Sequence, residues 1–354
     1  MPSAYDPDPA VLEGLLADQP AYRLRQVDEG LWRQLRRPSE LTVLPKELRE
    51  RLEAALPPAL RVVTESVADG GRTIKWVFAL HHGATIETVA MAYQDRVTVC
   101  ISSQAGCAMG CTFCATGQAG FRRHLVATEL IEQVVAAARA VEPRRVSNVV
   151  FMGMGEPLAN YDATLATLRA LNQRLGLSAR HLTVSTVGVA PAIERLALDA
   201  PTVTLAVSLH AANDALRDTL VPLNRTYPLE RLEAACHQWN ASTGRRMSFE
   251  WALIDEVNDR LRDADELAAI ASRCRAHVNL IPLNPTRGYP TRGTPREGVL
   301  RFRAALESHG VNATIRATRG REIDAACGQL AAVAGAKAPR RSRVSVSVSP
   351  ARGR

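Results

Sequence analysis

Nowhere do the 354 residues hold an apolar run long enough to span a bilayer. The opening stretch MPSAYDPDPA also lacks the basic start and apolar segment of a secretory signal, being acidic and proline-rich. These absences argue against a membrane partner and lead to the expectation of a cytoplasmic protein. No G-x-G-x-x-G fingerprint appears, since the nearest string, GMGEPL at 153–158, fails at its last position. Acidic residues are missing from 331–354, which carry Lys337, Arg340, Arg341, Arg343, Arg352 and Arg354. That segment supplies six of the eight excess positive charges, leaving the body an excess of only two. The net charge is therefore mostly a property of the tail, not proof of a basic nucleic-acid face on the folded part.

Against these absences stand seven cysteines, which in such a chain read as thiols or ligands in a reducing compartment. Three of them, Cys107, Cys111 and Cys114, lie in CAMGCTFC with the spacing C-x3-C-x2-C. Thiolates this close reach one metal centre at little loop-closure cost. A closed zinc or iron–sulfur site takes four protein ligands. Three leave one iron of a 4Fe–4S cluster open to a small molecule. A zinc site completed by His124 is the alternative that spacing permits. The pattern, with Phe113 before the third cysteine and the strand-like run 96–101 leading in, resembles the cluster motif of radical S-adenosylmethionine (SAM) enzymes. In that superfamily the amino and carboxylate groups of SAM chelate the open iron.

Residues 1–10 read as loose. Residues 11–56 read as short helices broken near Gln19-Pro20 and Pro38. Arg23, Arg25, Arg33, Arg36 and Arg37 cluster there beside Tyr22 and Trp32, and composition alone makes this an ordinary solvated face. Residues 60–101 alternate like β-strands around an Asp69-Gly70-Gly71 turn. Apolar runs then recur at 147–152, 182–186, 203–209, 249–254 and 278–283, with helical patterns such as 127–141 and 163–175 between them. Such runs argue for a parallel sheet buried on both faces. A full eight-unit barrel needs roughly 250 residues. The stretch available after residue 100 suits an α/β fold with a partial (β/α)6 barrel. A small N-terminal helical accessory domain (1–59) and a short β extension precede it, the extension and catalytic barrel together spanning 60–335. Residues 336–354 read as a disordered basic tail, its Val344–Ser349 alternation included.

In a parallel βα barrel, ligand-binding residues gather at the C-terminal strand ends. Gly153-Met154-Gly155-Glu156-Pro157, Ser185, Ser208-Leu209-His210 and Asn284 all fall at such ends, and Cys327 lies further on in RGREIDAACGQL. Each alone reads equally as a cap, a turn or a core residue. Together with CISSQAGCAMGCTFCATGQAGF, FMGMGEPLANYD and TRGREIDAACGQL, they resemble the RlmN family of radical SAM RNA methyltransferases over roughly 20–333. The match is looser at YRLRQV and LPKELRERL, and AMAYQDR before Cys100 departs from the family's forms.

The resemblance implies methylation of carbon 2 of an adenine in 23S rRNA, with tRNA as a further substrate in some members. It implies one 4Fe–4S cluster on Cys107, Cys111 and Cys114, SAM contacts from Gly155, Glu156, Ser185, Ser208, Leu209, His210 and Asn284, and an electron donor such as flavodoxin or ferredoxin. Carbon 2 has no lone pair with which to attack a sulfonium methyl, so simple displacement is closed to it. The family first methylates a cysteine, here Cys327, and builds the new bond through a radical on that methyl. A second thiol, here Cys100, then releases the RNA by forming a disulfide bond with Cys327. Glu87 matches the proton acceptor. A related carbon-8 methylase that confers antibiotic resistance shares these motifs, and a non-catalytic zinc-containing RNA-binding protein is the alternative from another class. Cys236 and Cys274 match no motif and read as buried small hydrophobes.

Overall fold

The computed structural model describes residues 3–331 except 7, 285, 287, 290, 317 and 318, with the side chain of Arg321 also left aside. The expected tail, 336–354, lies outside the described residues. Three helices open the chain, α1 (Pro9–Leu15), α2 (Ala21–Trp32) and α3 (Lys46–Ala55). A meander follows, β1 (Leu60–Ala68), β2 (Thr73–Leu80) and β3 (Thr85–Ala92), then β4 (Val97–Cys100). After β4 come the short β5 (Gln104–Gly106), α4 (Ala115–Gln118) and β6 (Phe121–His124), then α5 (Ala127–Ala140). The repeat continues as β7 (Asn148–Phe151), α6 (Tyr161–Gln173), β8 (Leu182–Thr186), α7 (Ala190–Asp199) and β9 (Thr204–Ser208). It closes with α8 (Asp214–Leu220), α9 (Leu229–Thr243), β10 (Ser248–Leu253), α10 (Leu261–Arg273), β11 (His277–Pro282), α11 (Arg296–Ser308) and β12 (Ala313–Ile315).

One sheet runs in the order β1-β2-β3-β4-β7-β8-β9-β10-β11-β12. The first three contacts are antiparallel and form the β extension. From β4 to β12 every neighbouring pair is parallel. Six strands, β4 and β7 to β11, are each followed by a helix, which is the (β/α)6 barrel the sequence predicts. The short β12 adds a seventh parallel strand. Among the described residues β1 and β12 do not pair, so the barrel is open. Helices on one side and barrel contents on the other bury both faces of these strands, and Leu182, Val184, Leu205, Val207, Trp251 and Leu280 have at most trace exposure.

The N-terminal helices share a core with Ile131 and Val135 of α5 and Ala170 of α6. This corrects two expectations. Ser3, Ala4 and Tyr5 are buried rather than loose, because the Tyr5 ring meets Trp32 edge-on at 5.5 Å. Tyr22 and Trp32 also part ways. Trp32 is fully buried under the Arg174 guanidinium at 4.2 Å, while Tyr22 stays exposed beneath Arg23 at 5.0 Å. No helix among the described residues is long and apolar enough to cross a membrane.

Candidate active site

The cysteine loop leaves β4 and is held from two sides. Gln133 on α5 donates to the Ser102 carbonyl (2.9 Å) and accepts from Ser102 N–H (2.8 Å). The loop after β7 closes on the same segment, with Ser103 N–H and Gln104 N–H both donating to the Met154 carbonyl at 2.8 and 3.1 Å. That approach requires glycine. A Cβ at Gly153 would lie 2.6 Å from the Ile101 carbonyl oxygen, and one at Gly155 (φ +101°) 2.5 Å from Gln104 Cβ. A third glycine, which the sequence motifs did not single out, matters equally. A Cβ at Gly117 on α4 would stand 2.9 Å from the Cys111 carbonyl.

Cys107, Cys111 and Cys114 line a cleft of about 980 Å³, part of it open to solvent, at the C-terminal strand ends. Gly155, Glu156, Ser185, Ser208, His210, Asn284 and Cys327 line it too. Leu209 does not; its side chain is buried and its N–H donates to the Glu250 carbonyl (3.1 Å). Cys100 and Glu87 also lie outside the cleft. Cys100 lines an adjoining space of about 520 Å³ that shares Met152, Ile281, Asn284, Arg316 and Cys327 with it. Cys327 therefore stands at the junction of the two. It is tied there by Asn284 Nδ2, which donates to its carbonyl (3.1 Å), and by Ala115 N–H, which donates to the Gly328 carbonyl (2.9 Å). Glu87 shares a face of β3 with Val89 and Met91 by strand parity, and Cys100 pairs with Val89. Lys75 Nζ lies 3.6 Å from the Glu87 carboxylate and donates to the Asp324 carbonyl (3.2 Å).

The residues fit an iron–sulfur cluster. Burial pushes the Cys107 thiol up to about 12 and the Cys111 thiol higher still, so a bound cation is what would turn them into thiolates. Among the described residues, Glu233, His237 and Cys274 alone offer three such ligand atoms within 4.8 Å of one another. The zinc alternative with His124 fails on placement. His124 sits on β6, outside the cleft, with Nδ1 against Gln104 Nε2 (3.1 Å). The disulfide is not formed, since all seven cysteines are free thiols. Burial pushes Cys100 up to about 12, which keeps it protonated at rest. Cys236 and Cys274 are fully buried, as expected, and their free thiols are hydrogen-bonded to each other.

Glu156 presents a carboxylate at the cleft wall whose oxygens accept from Leu158 N–H and Val187 N–H, both at 2.9 Å. Burial raises it to about 7, so it gains from a cationic partner. Arg217 is buried and donates to the carbonyls of Leu209 (3.0 Å) and Val187 (2.7 Å) and to Asn224 Oδ1 (2.8 Å). It thereby fixes the loops after β8 and β9 to one another. Arg217, Arg316 and Glu250 escaped the sequence reading. The one signal available was a single carboxylate inside the apolar strand SFEWAL.

His210 proves to be both a core histidine and a cleft residue. Its Nδ1 accepts from Ala252 N–H (3.0 Å), and Phe113 packs edge-on at 4.8 Å. Burial, then the nearby Arg217 charge, lowers it to about 3 from 6.5. The unfolded chain takes up this proton near pH 6.5 and the folded chain only near pH 3, so stability present above that window is lost as pH falls through it. The slope from one such group is at most about 1.4 kcal/mol per pH unit. The ligand-free His210→Asn chain should show a shallower fall in urea unfolding free energy between about pH 4.5 and 6.5. Asn tolerates the backbone φ of +60° at this position. An unchanged slope would show that His210 is not held neutral.

An open parallel barrel with three cysteines at its mouth and a Gly-Glu loop beside them defines a radical SAM enzyme. The radical SAM superfamily model matches residues 101–268. The chain is 50% identical over 330 residues to a probable dual-specificity RNA methyltransferase RlmN of Salinispora tropica, covering 90% of this chain and 89% of the relative. The protein of the same description from Thermobifida fusca is 48% identical, with 90% of each chain covered. The crystal structure of a radical SAM methyltransferase from Sphaerobacter thermophilus is 49% identical and superposes with a TM-score of 0.91, covering 94% of this chain and 100% of that one. The chain belongs to the RlmN family of radical SAM RNA methyltransferases.

Proposed function

We propose that this methyltransferase acts on carbon 2 of an adenine in 23S rRNA and of an adenine in tRNA, through S-methylated Cys327 and two molecules of SAM used in turn. The observation that carries the reading is the position of Cys327, between the cleft of the cysteine triplet and the space that holds Cys100. Cys107, Cys111 and Cys114 would hold one 4Fe–4S cluster, and Glu156 would receive the amino group of SAM. When bound and reduced by a donor such as flavodoxin or ferredoxin, the cluster and SAM supply a radical that takes hydrogen from an S-methyl group.

The chain's own residues carry the rest. Cys327 accepts a methyl group by displacement, an S–C bond forming as the sulfonium bond breaks. Once that carbon has joined the ring, Glu87 takes the ring proton, with the Lys75 ammonium 3.6 Å away, and the adduct's unpaired electron would return to the oxidised cluster. Cys100 attacks the Cys327 sulfur. The S–S bond forms as the C–S bond breaks, its electron pair leaving on carbon, which takes up a proton. An external dithiol reductant then restores both thiols. In this reading the helices of 1–59 form an accessory domain that contacts RNA, the barrel and its β extension span 60–335, and 336–354 form a basic tail that adds non-specific RNA affinity. The setting is the cytoplasm.

The Cys100→Ala chain should accumulate a covalent protein–RNA adduct on denaturing gels, because bond formation proceeds and release does not. Free, fully methylated RNA without an adduct would contradict the resolving role.

A further inference from the structure

Arg316 is the one described arginine that reaches both cavities around Cys327. Its N–H donates to the Leu280 carbonyl (2.8 Å), which fixes the backbone just past β12. Its guanidinium donates to Met152 Sδ (3.4 Å) and stands 3.6 Å from Glu250 Oε2, beyond hydrogen-bond reach. Glu250 spends its other oxygen on Ser248 Oγ (3.0 Å) and Asn279 Nδ2 (2.8 Å). The ion pair is therefore loose, and much of the Arg316 charge is left for its other neighbours. Those are Cys327, which lines both spaces with it, and Cys100 and Tyr93, which line the smaller one; attraction to Cys327, ahead of Glu250 and then Cys100, favours the charged guanidinium.

The other charged and titratable groups facing Cys327 do not compete for this role. Tyr93 and Arg319 wall the Cys100 side, and Arg319 is stacked on the Tyr93 ring at 4.6 Å. Glu156, His210 and the cysteine triplet wall the cleft side. Arg319 lies on the Cys100 side only, so Arg316 is the one described cation that lines both spaces with the sulfur.

We infer that Arg316 is a positioning residue that stabilises negative charge on the Cys327 sulfur, and that Glu250 sets how much of its charge is available. The inference rests on Cys327 as the methyl carrier. Displacement at a sulfonium methyl needs a thiolate, and a cation that lines both spaces with the sulfur favours that form.

The test is alkylation of Cys327 by iodoacetamide as a function of pH. It uses cluster-reconstituted, SAM-free protein under anaerobic conditions, with the free-thiol Cys327 peptide quantified by mass mapping. Arg316→Met should move the midpoint up by at least about one pH unit, and Arg316→Lys should restore part of the shift. Glu250→Gln should move it down, since it removes the competing carboxylate. A merely structural pair would not give opposite shifts. An unchanged midpoint in a folded Arg316→Met chain would overturn the inference. If that chain does not fold, a Glu250→Gln midpoint that stays or rises overturns it, and a fall supports it. The readout needs neither SAM nor RNA, so its failure leaves the carrier role of Cys327 standing. Methyl uptake onto Cys327 tests that role separately.

Discussion

Cys327→Ala should lose RNA methylation by at least about 10⁴-fold, the scale of deleting a covalent nucleophile, while keeping its iron and its affinity for SAM. The residue lies far in sequence from the cluster loop, and its neighbour Gly328 meets that loop through backbone, the Gly328 carbonyl accepting from Ala115. On the proposed mechanism its side chain is dispensable for assembly and carries the methyl. Labelled methyl groups should appear on the parent protein and then on RNA, and on neither in the variant. Methylated RNA at the parent rate would refute the carrier role.

Alanine at Cys107, Cys111 or Cys114 should act one stage earlier. Each substitution leaves two protein thiolates where three are the least that hold the cluster with one iron open. Iron, sulfide and the visible absorption should be lost after anaerobic reconstitution, and RNA methylation with them. The fold should survive, because the loop is anchored independently by Gln133 and by the stitching of 103–104 to Met154. Full iron and an intact spectrum in all three variants would remove the triplet as the cluster site.

What could be read in advance follows from range. The cysteine triplet is a local pattern and was legible as such. The barrel strands were legible because burial on both faces makes them continuous apolar runs, as in 203–209 against the observed Thr204–Ser208. Glu87 was nameable only through resemblance, since a carboxylate on β3 has no local signature. Its partner Lys75 comes from β2, one strand over. Arg316 and Glu250 were not legible at all, because they meet only where β10, β11 and the chain after β12 lie side by side. The packing of Ser3–Tyr5 was missed for the same reason. A proline-rich start reads as loose until Trp32 is there to receive Tyr5.

The most direct measurement is mass mapping of the modified nucleotide after reaction of the reconstituted enzyme with isolated rRNA and tRNA, with reductant and without oxygen. The account predicts one methyl group on carbon 2 of adenine in 23S rRNA and in tRNA. Methylation at carbon 8, or on a ring or exocyclic nitrogen, would contradict it.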